Sequence, residues 1–334
     1  MLFAIFVLLF SLPSVVLSNS DELESFERLD LPGSSRVPYS LAFEKSLSRE
    51  FFTGISDGRI VKFNKDTNSF QDYATTTPRS KAECDGIDRP RPTCGRPLGL
   101  DFYEKTGELF FTDQYRGLQR VGRNGGPATQ IASTADGTPL TLINDISVNQ
   151  LSGEVYFTQA STIRGPISGR PLDEALEALP ERDTTGRLLK YDPRTEQVTV
   201  LLDDLAGASR VELSHNGRYA LVSEYLAKRI RKVYLGDNSK PLQYEVFVEG
   251  LEGRPFSIER PFGNDFYVAV SDIKIVEGPR PGPGPGPRPP RRIEITPKAV
   301  KINEDVAAYP LFHSFPANST ILYQKSPVGC LPTA

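Results

Sequence analysis

The residues of this chain best suited to chemistry sit at the ends of short apolar runs. Asp113 follows ELFFT and Glu224 follows YALVS; Tyr115 and Tyr225 lie two and one residues beyond them. A carboxyl group in an apolar pocket is pushed toward neutral pH and can exchange protons with a substrate, and flanking aromatics could wall a flat amine or an apolar aldehyde. Acids at strand ends read equally as ordinary solvated residues. Asn144-Asp145 offers an amide oxygen and a carboxylate, the donor types a hard cation prefers. Two donors hold calcium only weakly, and the pair also reads as a polar turn entering a strand. The chain has only two histidines, which excludes a histidine-rich metal centre, and no motif calls for a cofactor.

These residues are carried by a repeat. The theme is a polar turn, a short apolar run, then Thr or Ser: EFFTG at Thr53, ELFFTD at Thr112, EVYFTQ at Thr158, YALVSE at Ser223 and FYVAVS at Ser271. The intervals are 59, 46, 65 and 48 residues. Aromatic and β-branched residues dominate the runs, which predicts strands. A second alternating strand follows most of them, as in GRIVKFN from Gly58, GLQRV from Gly117, GRLLKYD from Gly186 and KRIRKVYL from Lys228. Several short strands per unit of about fifty residues predict an all-β propeller rather than a sandwich. Two segments interrupt the pattern. Residues 167–183 have helical spacing in Leu172, Leu176 and Leu179, predicting a short helical insertion over one end of the propeller. Residues 278–292, GPRPGPGPGPRPPRR, lack the amide donors a ladder needs and predict an extended loop.

The rest bounds location and partners. Residues 1–18 are almost wholly apolar, too short for a strong membrane span, and read as a signal peptide; the propeller then occupies 19–334. No later segment is apolar enough to span a bilayer, so the mature chain is expected to be free of the membrane. Net charge is −3, from 39 basic and 42 acidic residues without a basic stripe, which argues against a nucleic-acid partner. Of three cysteines, Cys84 and Cys94 bracket a turn-rich stretch; a disulfide closing that short loop and two free thiols are the alternatives, the first favoured in an oxidising compartment. Asn318-Ser319-Thr320 is a glycosylation sequon, usable along the secretory route. A monomer is expected.

From Cys94 the sequence CGRPLGLDFYEKTGELFFTDQYRGLQRVGRNGGPATQI resembles the second blade of the strictosidine synthase-like family. INDISVNQLSGEVYFTQAST with TGRLLKYDPRTEQVTVLL resembles the third blade, and VELSHNGRYALVSEYLAKRIRKVYL the fourth. The resemblance runs from about residue 35 to 310 and is strongest over 94–235. It implies a six-bladed propeller, a disulfide between Cys84 and Cys94, and a vacuolar, endoplasmic reticulum or extracellular location. It also implies a chemistry: Pictet–Spengler condensation of an amine such as tryptamine with the aldehyde secologanin, with one buried Glu as acid and base.

That Glu lies two residues after a His in the family. Here His313 takes the place of the His and Phe315 that of the Glu, and no Asp or Glu follows Asp305. The expectation is therefore a divergent tail over 311–334, an incomplete last blade, and no condensation. His313 reads as an inherited pocket residue or as a solvated one. Calcium-dependent lactonases share this kind of propeller and hold the metal on its axis. Asn144-Asp145 matches one of their ligand positions, while Tyr39, Ser209-Arg210 and Pro255-Phe256 stand where they carry Glu, Asn and Asp. Three function classes follow: a family member derived from an amine–aldehyde condensing enzyme, a non-catalytic small-molecule-binding or defence-related propeller, and an ester or lactone hydrolase.

Overall fold

A computed structural model describes residue 31 and residues 38–44, 50–78, 81–87, 90–166, 172–236, 242–260, 265–277, 291–303 and 306–311. The signal-peptide residues 1–18, the loop residues 278–290, and His313, Phe315 and Asn318 lie outside the described residues.

The chain forms a β-propeller of small antiparallel sheets, each led by an inner strand. Blade one contains β1 (Leu41–Ala42), β2 (Phe51–Gly54), β3 (Arg59–Asn64) and β4 (Ser69–Thr75). The helical turn α1 (Lys81–Cys84) leads toward blade two, which contains β5 (Pro97–Tyr103), β6 (Glu108–Asp113) and β7 (Gly117–Val121). The chain then adds β8 (Gly126–Pro127) in parallel to β4 before β9 (Thr129–Ala132) completes blade two. A small hairpin, β10 (Thr134–Ala135) and β11 (Thr138–Pro139), precedes blade three. That blade is β12 (Ile143–Val148), β13 (Val155–Gln159), β14 (Gly186–Asp192) and β15 (Gln197–Leu205), with α2 (Leu172–Glu177) inserted between β13 and β14. Blade four is β16 (Ala208–Leu213), β17 (Tyr219–Glu224), β18 (Arg229–Tyr234) and β19 (Gln243–Val248). Blade five is β20 (Arg254–Glu259), β21 (Asp265–Glu277), β22 (Arg291–Asn303) and β23 (Val306–Leu311).

The inner strands β5, β12, β16 and β20 pack each against the next. Apolar cores fill the seams between neighbouring blades. Phe52 and Ile60 meet Leu100 and Phe111; Phe110 and Leu118 meet Ile146 and Phe157. Tyr156 and Leu188 meet Val211 and Val222, and Leu221 and Ile230 meet Ile258 and Phe266. Each such side chain, fully buried, contributes roughly 1.5–3 kcal/mol of transfer free energy. This explains the apolar runs: in blades two, three and four the second strand is buried on both faces, one face against each neighbouring sheet.

The Thr or Ser that ends each run has a physical role as well. Thr112 Oγ1 accepts the Gly99 N–H at 3.0 Å and donates to the Asn144 carbonyl of the next blade at 2.8 Å. Thr158 Oγ1 repeats this, accepting from the Asp145 N–H at 3.2 Å and donating to the Ser209 carbonyl at 2.8 Å. Ser223 Oγ accepts the Arg210 N–H at 2.8 Å. The N–H groups served are those freed by β-bulges in the inner strands, between Pro97 and Leu100, Ile143 and Ile146, and Ala208 and Val211. One hydroxyl thus satisfies a bulge in its own blade and clips that blade to the next. Ser271, the fifth of the series, is buried, and its hydroxyl has no hydrogen-bond partner among the described residues.

Several expectations meet the structure here. Cys84 and Cys94 are bonded, with Cα atoms 5.6 Å apart. The insertion expected over 167–183 contains α2, whose Ala175 and Leu176 are buried together with Leu179 just beyond it. Arg291 and Arg292, assigned to the Pro/Gly loop, instead pair in β22 with Glu277 and Val276. Unlike proline, arginine keeps the N–H that a ladder needs. The described residues form five blade sheets, and the fifth has all four strands, with Leu311 inside β23. The expected sixth, incomplete blade falls on residues outside the described ones. Among the described residues no helix is long and apolar enough to cross a membrane.

Candidate functional site at the propeller axis

The bulges in β12 and β16 decide what lies at the axial end of the inner strands. A bulge re-aims consecutive side chains that regular pleating would send to opposite faces. Asn144 and Asp145 are therefore both buried, as are Ser209 and Arg210. The four residues make one polar network that crosses blades. Tyr39, just before β1, donates its hydroxyl to Asn144 Oδ1 at 2.7 Å, and Asn144 Nδ2 donates to Ser209 Oγ at 3.0 Å. Arg210 Nη1 donates to Asp145 Oδ1 at 3.2 Å, and the Val211 N–H reaches Asp145 Oδ2 at 3.2 Å. Arg210 Nε donates to the Phe256 carbonyl of blade five, and its guanidinium lies 4.5 Å from the centre of the Tyr39 ring. Gly99 makes room for this: a Cβ there would lie 2.7 Å from Asp145 Cα.

An apolar and aromatic layer covers the network. Leu98, Leu142, Ala160 and Tyr225 are buried against Leu176 and Leu179 from α2 and the turn after it. Tyr225 meets Phe256 edge-on, with centroids 5.5 Å apart, and the Arg254 guanidinium lies 4.9 Å from its ring centre. The Tyr225 hydroxyl donates to Glu177 at the end of α2, and Arg254 Nε lies 3.6 Å from the same carboxylate. Arg254 Nη1 is buried and has no hydrogen-bond partner among the described residues. Tyr39, Phe256, Arg254 and Glu177 remain partly exposed.

Of the residues singled out in the sequence, Tyr225, Asn144 and Asp145 come together here, with Tyr39, Ser209, Arg210 and Phe256 from the lactonase comparison. Asp113 and Glu224 are fully buried and engaged within their own blades. Asp113 accepts the N–H groups of Arg96 at 2.6 Å, Tyr115 at 2.9 Å and Arg116 at 3.1 Å, closing the turn after β6. Burial pushes its carboxyl above the ordinary range, against the pull of those N–H groups. Tyr115 is half-buried, with its hydroxyl on the Pro90 carbonyl at 3.3 Å. Glu224 accepts from the Ala206 N–H at 2.8 Å, from Arg229 at 2.5 and 2.8 Å and from Arg231 at 2.7 Å. Burial alone would raise its carboxyl; the hydrogen bonds from Arg229, Ala206 and Arg231 override this and hold it below the usual range. At the axis, burial raises the Asp145 carboxyl, and Arg210 draws it back.

Sequence reasoning assigned no role to Arg210, Arg254 or Glu177. A signal existed for the first: GASRVEL places an arginine in an inner strand one blade away from Asp145. Nothing in the sequence pairs Glu177 with Arg254 across seventy-odd residues.

Comparison with known proteins accords with this geometry. Residues 144–238 match the family described as Strictosidine synthase. The chain is 38% identical over 261 residues to Protein STRICTOSIDINE SYNTHASE-LIKE 2 of Arabidopsis thaliana, covering 74% of this chain and 67% of that one. It is 32% identical over 250 residues to strictosidine synthase of Catharanthus roseus, covering 74% and 68%. Among solved structures, a gluconolactonase from Xanthomonas campestris superposes with a TM-score of 0.51 at 16% identity, covering 70% of this chain and 69% of the other, a likeness of fold alone. By its sequence identity over most of its length and its propeller architecture, the chain belongs to the strictosidine synthase-like family.

Proposed function

We propose that this chain is a small-molecule-binding propeller of its family that does not carry out the Pictet–Spengler condensation. The observation that carries the proposal is the state of the axial carboxylates. Asp145 is tied to Arg210, and Glu177 accepts the Tyr225 hydroxyl beside Arg254. A general base must be free to take the amine proton, and a carboxylate held by a guanidinium is a poor one. Phe315 at the family's Glu position supports the same reading from the sequence.

The ligand chemistry favoured is a flat amine or an aldehyde. Tyr39 and Phe256 offer aromatic surface to the first. Arg254 Nη1, a buried donor with no partner among the described residues, offers a hydrogen bond to the carbonyl oxygen of the second. The apolar leader and the disulfide support delivery through the secretory route, as a monomer in the vacuole, endoplasmic reticulum lumen or extracellular space.

The test is a product assay with tryptamine and secologanin against the uncatalysed rate, beside calorimetric titration of each compound. Binding without turnover is expected, with Phe256→Ala weakening tryptamine and Arg254→Ala weakening the aldehyde. Turnover above background by the unaltered chain overturns the proposal and points to Glu177 as the base.

A further inference from the structure

We infer that Arg210 is a built-in cation for this propeller's axis: its guanidinium joins oxygens of adjacent blades that a hard metal ion would otherwise join, so that removing it turns the same oxygens into a calcium site. The inference does not depend on which ligand the axial end takes.

Asp145 and Arg210 have side chains only 12% and 9% exposed, and Asp145 Oδ1 lies 3.2 Å from Arg210 Nη1. A carboxylate this deep is costly when ionised, and a positive partner offsets that cost. The partner comes from the neighbouring inner strand, and its side chain donates to two other blades, to Asp145 of blade three and to the Phe256 carbonyl of blade five, while its guanidinium lies 4.5 Å from the ring centre of Tyr39 before blade one. In blades two and three the seam is clipped by a threonine hydroxyl donating to a carbonyl of the next inner strand. Toward blade five the carbonyl is taken by Arg210 instead.

The donor set decides whether a metal fits now. A carboxylate, a backbone carbonyl, an amide oxygen and a hydroxyl are oxygen donors of the kind calcium takes, with water completing six to eight. Here the Asp145 carboxylate and the Phe256 carbonyl are engaged by Arg210, and Asn144 Oδ1 accepts from Tyr39. A metal ion beside that guanidinium would meet like charge. The chain as it stands therefore does not fit calcium, and the only positive charge against Asp145 among the described contacts is Arg210.

The experiment compares the unaltered protein, Arg210→Ala and Arg210→Ala/Asp145→Asn by thermal melting with millimolar calcium and with chelator. Terbium luminescence sensitised by tyrosine serves as a second readout. The unaltered protein is expected to melt alike in both conditions. Arg210→Ala is expected to lose about 5–10 °C in chelator, to regain about 3 °C or more in millimolar calcium, and to sensitise terbium. The double variant, with no uncompensated carboxylate, is expected to recover most of the loss without calcium and to ignore it. If Arg210→Ala is not recovered folded in chelator, its recovery folded in calcium, or by the added Asp145→Asn, supports the inference; failure in both overturns it. Calcium stabilising the unaltered protein, or leaving folded Arg210→Ala unmoved, also overturns it.

Discussion

Two buried carboxylates, Glu224 and Asp145, lie in neighbouring blades and are both held by arginine, yet they serve opposite ends. Glu224 closes on Arg229 and Arg231 from the adjacent strand of its own sheet, in a register that places Glu224 opposite Arg229. Asp145 closes on Arg210 from another sheet. The first pairing is completed when a blade folds; the second exists only once blades dock. The difference teaches that a buried acid in a propeller reports on the level at which its partner is supplied, and that only the second kind can shape the axis.

The comparison breaks most visibly at Glu224. Replacing it with Ala leaves the buried Arg231 and the half-buried Arg229 without their carboxylate and is expected to cost about 3–5 kcal/mol, read by denaturant unfolding. A cost below about 1 kcal/mol would mean the arginines find water, and that the blade is not closed by this pair. Its pH dependence sharpens the point. The folded-state pKa of Glu224 is lowered, so its contribution is complete above its unfolded value, about 4.3, and is lost as pH falls through the folded value. Asp113 has a raised folded-state pKa, so its ionisation opposes folding as pH rises through the window above about 3.9. Glu224→Gln should therefore flatten the acid limb of the stability curve, and Asp113→Asn should steepen it.

Next in size is the disulfide, a within-region constraint that the axis does not share. Replacing Cys84 and Cys94 with Ser is expected to cost about 2–3 kcal/mol for so short a loop. Peptide mapping without reduction should recover the two linked, and full alkylation of both in folded protein would refute the bond. Thr158→Val tests the clip between blades three and four. It removes one accepted and one donated hydrogen bond and is expected to cost about 1–3 kcal/mol. Ser271→Val, whose hydroxyl has no partner among the described residues, should cost less; equal costs would mean the clip does not explain the repeat.

The smallest expected effect is that of calcium on the unaltered chain, where melting with metal and with chelator should agree within about 1 °C because a guanidinium already sits at the axis. A chelator shift of several degrees, abolished by Asn144→Ala, would show a real metal site and favour the hydrolase class.

Local pattern determined much of this protein. The apolar runs ending in Thr or Ser announced the second strand of each blade, because that strand is buried, and in blades two to four its closing hydroxyl accepts from a bulge N–H. Cys84 and Cys94 announced a closed loop, because ten residues rich in turns bring their ends together. Helical spacing announced α2. Only the tertiary structure decided the fate of the acids. Asp113 and Glu224 occupy like places in the repeat as Gln159, each the residue after the hydroxyl, and all three are consumed by backbone or arginine partners of their own blade. Asp145, in a segment that reads as a turn, reaches the axis because a bulge turns it there and Arg210, sixty-five residues on, meets it. Periodicity is a property of neighbours in sequence, whereas a buried charge is settled by whichever partner the docked blades bring within hydrogen-bond reach.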